Sequence, residues 1–130
     1  TAEEACGLST FITAVRSKEL PRLSGILSEL ADLRVELAPL QLDETDEFIT
    51  DMLKQAGSDR QIFTNDATLQ IHAHTQGCPR LINRLCELSM IAGMAADKEK
   101  IDGALVNSVS SSLVTKLDRS NQIVEYHELV

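Results

Sequence analysis

Apolar residues recur along the chain at helical spacing, in stretches separated by glycine, proline and charged runs. Leu8, Phe11, Ile12 and Val15 share one face of a helix over residues 2–17, which Gly7 weakens. Leu20, Leu23, Ile26, Leu27 and Leu30 predict a second helix between Glu19 and Leu33, with Pro21 tolerated only because it falls near the start. Leu33-Arg34-Val35-Glu36-Leu37 then alternates apolar and polar, as a short strand does. So short a run cannot form a sheet alone, so its partners are expected elsewhere.

Pro39 ends that segment. Asp43 is the expected N-cap of the next helix, with Asp46 or Glu47 closing its first turn. This helix turns Phe48, Ile49, Met52 and Leu53 inward and stops near Gly57. Thr64 caps a helix carrying Ala67, Leu69 and Ile71, which closes at Gly77. The helix after Pro79 is the most apolar, with Leu81, Ile82, Leu85, Leu88, Met90 and Ile91, and is expected at the centre. Asp97–Lys100 is a charged loop. Asp102 opens a last helix with Leu105, Val106, Val109, Leu113 and Val114, and residues 118–130 form a tail or a docking strand.

The run from Gly77 to Cys86 carries the most chemistry. Gly77 suits the left-handed residue that closes a helix, and Pro79 suits the first position of the next, where its missing N–H costs nothing. Arg80 then sits in the first turn. A cation there opposes the helix dipole by roughly 0.3–1 kcal/mol. Either an anionic ligand or a salt bridge to a nearby acid offsets that cost. Arg84 lies one turn on, with Glu87 in reach. Asn83 caps or bridges a loop, or is simply exposed.

Composition narrows the function classes. With 130 residues, this is one domain or a piece of a larger protein, and a start at Thr1 suggests an excised or processed product. Aromatic residues make up 3% and tryptophan is absent, so the core is aliphatic and helical. A net charge of −8 argues against broad nucleic-acid binding, which needs a basic face. No apolar run reaches membrane-spanning length and no signal peptide is visible. A cytoplasmic location is expected, either free or at the inner face of the membrane through the rest of the protein. Cys6, Cys78 and Cys86 lack metal-like spacing and read as reduced thiols, Cys86 in the core. The acids at 43, 44, 46, 47 and 51 read as helix-dipole residues rather than a metal cluster. His72 and His74 diverge by about 200° on a helix and cannot easily share a metal. His127 has no partner nearby in sequence, and no nucleophilic triad is visible.

One ordered series of motifs resembles a known family. Leu37-Ala38-Pro39-Leu40-Gln41-Leu42-Asp43-Glu44-Thr45 is followed by Ala56-Gly57, Ile62-Phe63-Thr64, Ile71-His72, Gln76-Gly77 and Gly77-Cys78-Pro79-Arg80-Leu81-Ile82-Asn83-Arg84-Leu85-Cys86. The series is similar to the C-terminal lid of AAA+ ATPases of the general secretion, MSHA pilus-biogenesis and transposition-helper type, over roughly residues 36–107. The resemblance implies a mainly all-α fold, a lid of about four helices preceded by one or two helices and a short strand. It implies an end of the ATPase core over 1–38, a lid over 39–117 and a tail over 118–130. Arg80 matches the sensor-2 arginine, which touches nucleotide phosphates, with Gly77 and Pro79 positioning it. Arg84 and Arg34 are candidates for phosphate or subunit contact, and Arg22 and Arg34 lie where many such proteins carry an arginine finger. The run Ser28–Arg34 departs from the Gln-Arg-Ile-like run of the relatives, and residues 1–18 do not match a sensor-1 strand.

No Gly-x-x-x-x-Gly-Lys-Ser/Thr loop and no apolar strand ending in Asp-Glu occurs in the chain. By the resemblance those elements lie upstream, ATP or ADP with magnesium binds the complete protein, and this chain alone is inactive with no cofactor. The implied partners are the upstream ATPase core, neighbouring subunits and a secretion, pilus or transposition protein, without direct membrane insertion. Two other readings stay open. One is a free-standing helical interaction or regulatory module. The other is a helix-turn-helix that reads DNA through the helix after Pro79, against which acidic charge and apolar character count.

Overall fold

A computed structural model describes residues 9–113, which divide into two compact units between Leu37 and Ala38. In the first unit, residues 9–16 have no regular structure and a turn at 17–19 leads into α1, Leu20–Leu30. Pro21 stands in the first turn of α1, and the Ala31 N–H closes its end on the Leu27 carbonyl at 2.9 Å. No residue of α1 is buried.

Two expectations fail here. The helix placed over 2–17 is absent from its described part, residues 9–16, and the rest lies outside the described residues. Phe11 and Ile12 are 90% and 93% exposed, so no packing offsets the cost of nucleating a helix through β-branched Thr10, Ile12, Thr13 and Val15. Residues 33–37 form no strand either, and Leu33, Val35 and Leu37 are exposed. A strand exists only through its ladder, and no described residue supplies one.

The second unit is a helical bundle of α2 (Leu42–Gln55), α3 (Asn65–Thr75), α4 (Pro79–Ala95) and α5 (residues 103–113). Helices α2, α3 and α4 each pack on the other two. Their shared core is Ile49, Ala67, Ile71, Ile82, Leu85 and Cys86, completed by Phe63, Ile101 and Val106. Phe63 and Ile101 form an isolated parallel bridge, with Ile101 N–H donating to Ile62 O at 2.8 Å and Thr64 N–H to Ile101 O at 3.0 Å. That pair ties the loop after α2 to the loop after α4.

Local caps set most boundaries. The Thr64 hydroxyl accepts from the Ala67 N–H at 3.2 Å and starts α3. The Asp102 carboxylate accepts from the Leu105 N–H at 2.9 Å and starts α5. Helix α2 begins earlier than expected. Gln41, not Asp43, is its N-cap, and Glu44 reaches back to accept from the Gln41 N–H at 2.7 Å. Leu69, Leu81 and Ile91 lie exposed, while Thr45, Thr68, Thr75 and Ser89 are buried in their stead. Thr45 and Thr75 tolerate burial because their hydroxyls donate to the carbonyls of Gln41 at 2.8 Å and Ile71 at 2.7 Å, one turn back. Among the described residues no helix is long and apolar enough to cross a membrane.

Candidate functional site

The junction between α3 and α4 is built entirely from backbone constraints. Gln76 and Gly77 both take the left-handed conformation, with φ of 50° and 75°. The Gln76 N–H donates to His72 O at 2.7 Å, and the Cys78 N–H to Thr75 O at 3.1 Å, which satisfies two of the last carbonyls of α3. Cys78 caps α4 with its carbonyl, which accepts from the Ile82 N–H at 2.9 Å, and Pro79 is the first helical residue.

The chain entering α2 crosses this junction. The Leu40 N–H donates to the Gly77 carbonyl at 2.8 Å. A Cβ on Gly77 would collide with the Leu40 backbone, lying 2.8 Å from its nitrogen and 2.9 Å from its carbonyl carbon. Glycine is therefore required twice, for its positive φ and for the close approach. A second link lies one turn deeper. The single hydroxyl proton of Thr45 goes to Gln41 O, so His72 Nδ1–H is the donor to Thr45 Oγ1, at 2.9 Å. The ends of α2, α3 and α4 are thus fastened together at Leu40–Gly77 and Thr45–His72.

Arg80 projects from this fastened end. It is exposed, and among the described residues it makes no ion pair or hydrogen bond. The first turn of α4 contains no acid. An unpaired guanidinium beside the positive end of a helix suits an anionic group able to take charge-assisted hydrogen bonds. Among the described residues nothing offsets the unfavourable placement of Arg80 against the helix dipole.

The other candidate residues behave differently. Arg84 pairs with Glu87 at 3.2 Å across one turn of α4, both side chains more than half exposed. Arg34 lies in the first unit on exposed backbone without regular structure, and Arg22 pairs with Glu19 at 3.4 Å. Asn83 is exposed in the middle of α4. His74 Nε2–H donates to Asn107 Oδ1 at 2.7 Å, linking α3 to α5. Among the acids, Glu44 serves the α2 cap and Asp46 accepts from the Thr68 hydroxyl at 3.3 Å. No group of three metal-ligating side chains forms among the described residues. Burial pushes the Cys86 thiol up to about 12, which makes it an inert core group. Cys78 is a half-buried free thiol, and Cys6 and His127 lie outside the described residues.

Two open depressions flank the loop Ser58–Ile62, one of about 250 Å³ against α2 and Thr68, the other of about 440 Å³ against Met90, Met94 and the loop 98–101. Neither includes a residue of the α3–α4 junction. The sequence singles out Arg80, Gly77 and Pro79, but not the contacts that Leu40, Thr45 and His72 make. The signal was present, because all three belong to the ordered series of motifs, yet one sequence does not reveal which motif touches which.

No protein-family model matches the chain, and no solved structure matches it. The chain is similar to General secretion pathway protein A of Aeromonas hydrophila, at 35% identity over 75 residues, which cover 58% of this chain and 14% of that protein. It therefore spans only a small part of that relative's length.

Proposed function

We propose that the second unit is the lid of an AAA+ ATPase and that Arg80 is its sensor of bound nucleotide. The observation that carries this reading is Arg80, without a partner among the described residues, on a helix start held by the Leu40–Gly77 contact. A side chain meant to respond to a ligand needs a fixed base and no competing partner within its own domain. The ordered motifs and the similarity to General secretion pathway protein A support the same reading.

The junction fits an anionic group, and in this reading that group is the phosphate chain of ATP or ADP. Bound ATP with magnesium supplies the phosphoryl group transferred in the upstream core. Arg80 donates charge-assisted hydrogen bonds to β- or γ-phosphate oxygens from the far side of the site. Gly77 and Pro79 fix the direction of the first turn of α4 and hence of Arg80. The contact is stronger before hydrolysis than after it, and only such differential contact lets a nucleotide move a domain. Because α2, α3 and α4 are fastened together beneath Arg80, the pull is transmitted to the bundle as one body. Neighbouring subunits and a protein of a secretion, pilus or transposition system are the partners of this reading, with Arg84 and Arg34 as candidate subunit or phosphate contacts.

The test is made on the full-length gene product, whose intact mass and sequence must include a Gly-x-x-x-x-Gly-Lys-Ser/Thr loop. Arg80→Ala should impair ATP hydrolysis or nucleotide-dependent assembly. Arg80→Lys should do so partly, because it keeps the charge and loses the planar fork. Wild-type hydrolysis and assembly by Arg80→Ala would remove the sensor role. A native product of 130 residues would leave a free-standing helical interaction module as the better reading.

A further inference from the structure

Helix α4 carries two stripes. Ile82, Leu85, Cys86, Ser89 and Gly93 form the buried one, and they account for all the interior positions of the helix. Beside it on the helix run Leu81, Arg84, Leu88, Ile91 and Ala95, spaced three, four, three and four residues apart. That spacing is the a/d seam of a coiled coil. Leu81 and Ile91 are 51% and 58% exposed, Leu88 is half-buried, and Met94 beside the seam is 80% exposed. Among the described residues none of these positions belongs to the core or packs against it, so the core does not explain why they are apolar.

The charge on this seam is specific. In a chain of net charge −8 the seam contains no acid, and its one charged position is Arg84. Arg80 flanks the same half, while the other half, from Leu88 to Ala95, is uncharged. The exposed Arg84–Glu87 pair is of the weakly held kind that a better-placed acid can displace. A second copy docked through α4 does not satisfy this pattern. In a parallel pair Arg84 meets Arg84, and in an antiparallel pair centred on Leu88 it meets the apolar Ile91–Ala92 region.

We infer that the outer seam of α4 is a docking surface for an amphipathic helix of a partner protein, apolar at heptad spacing and bearing a glutamate or aspartate opposite Arg84. The apolar positions supply affinity and the single ion pair fixes register and direction, as one polar seam position does in coiled coils. The inference is independent of whether Arg80 meets phosphate.

The probes are two synthetic amphipathic helices, identical except for glutamate or lysine at the position facing Arg84, titrated into the isotope-labelled 130-residue chain by NMR. The glutamate peptide should bind, with shifts centred on Leu81, Arg84, Leu88 and Ile91. Arg84→Glu should weaken it on the order of tenfold and shift the preference to the lysine peptide. Ile91→Glu should abolish binding, with circular dichroism reporting an intact helical fold. Arg84 and Ile91 are exposed, so both variants should fold; should Ile91→Glu unfold, Ile91→Ser replaces it. Binding of neither peptide, equal binding of both, or shifts away from α4 would overturn the inference. Concentration-dependent self-association lost in Ile91→Glu would do the same by giving the seam to a second copy.

Discussion

The carbonyl of Gly77 accepts a hydrogen bond from the N–H of Leu40 at 2.8 Å, although 36 residues lie between them in the chain. This contact joins the entry of α2 to the turn that precedes Arg80. It also explains why α2 starts at Leu42, two residues after the fastened Leu40, with Gln41 as its cap.

Gly77→Ala should therefore destabilise the bundle more than an ordinary loop substitution. Gly57 is the control, because it also has positive φ, 87°, yet a Cβ there meets nothing within 4 Å. Strain alone costs each variant on the order of 1–3 kcal/mol. Gly77→Ala should lose about 1 kcal/mol or more beyond Gly57→Ala, from the displaced Leu40 hydrogen bond. Urea denaturation of both variants measures the difference, and equal losses would deny the contact its structural role.

Arg80 is expected to trade stability against function. It has no partner among the described residues and opposes the α4 dipole, so Arg80→Glu should stabilise the bundle by about 0.3–1 kcal/mol. The same variant of the full-length protein should lose its nucleotide response. Thermal unfolding and an ATPase assay read the two effects separately, and a large destabilisation by Arg80→Glu would mean that Arg80 has a structural partner.

Two buried hydroxyls should respond with opposite sign. Ser89 is fully buried and its Oγ has no hydrogen-bond partner among the described residues. Ser89→Ala should be neutral or stabilising by up to about 1 kcal/mol. Thr45→Val instead strands the His72 Nδ1–H and should cost about 1–3 kcal/mol. Chemical denaturation of the two variants tests the contrast.

Cys86 should resist alkylation in the folded state, because burial pushes its thiol up to about 12, while half-buried Cys78 reacts before it. The folded value lies above the ordinary 9.0, so the stability Cys86 contributes is complete below pH 9.0 and is lost as pH rises toward 12. Cys86→Ala should flatten that alkaline loss. Mass-resolved labelling with iodoacetamide and unfolding between pH 8 and about 11 check both statements.

What this sequence determined by itself was the set of local decisions. Thr64, Gly77 with Pro79, and Asp102 mark helix ends because a cap or a fixed φ acts within one turn, so neighbours in sequence suffice. Arg80 was visible for the same reason, as a cation misplaced against its own helix. Tertiary structure decided everything that needs a distant partner. Residues 33–37 alternate as a strand does, but without a ladder the backbone stays irregular. Phe11 and Ile12 stay exposed, so no burial among the described residues supports a helix there. On α4 both stripes are apolar enough to face inward, and only the positions of α2 and α3 select Ile82 and Leu85 over Leu81 and Ile91. Likewise Leu40, Thr45 and His72 belong to the ordered motifs, but the sequence does not say that they meet, and the fold brings α2's start against α3's end.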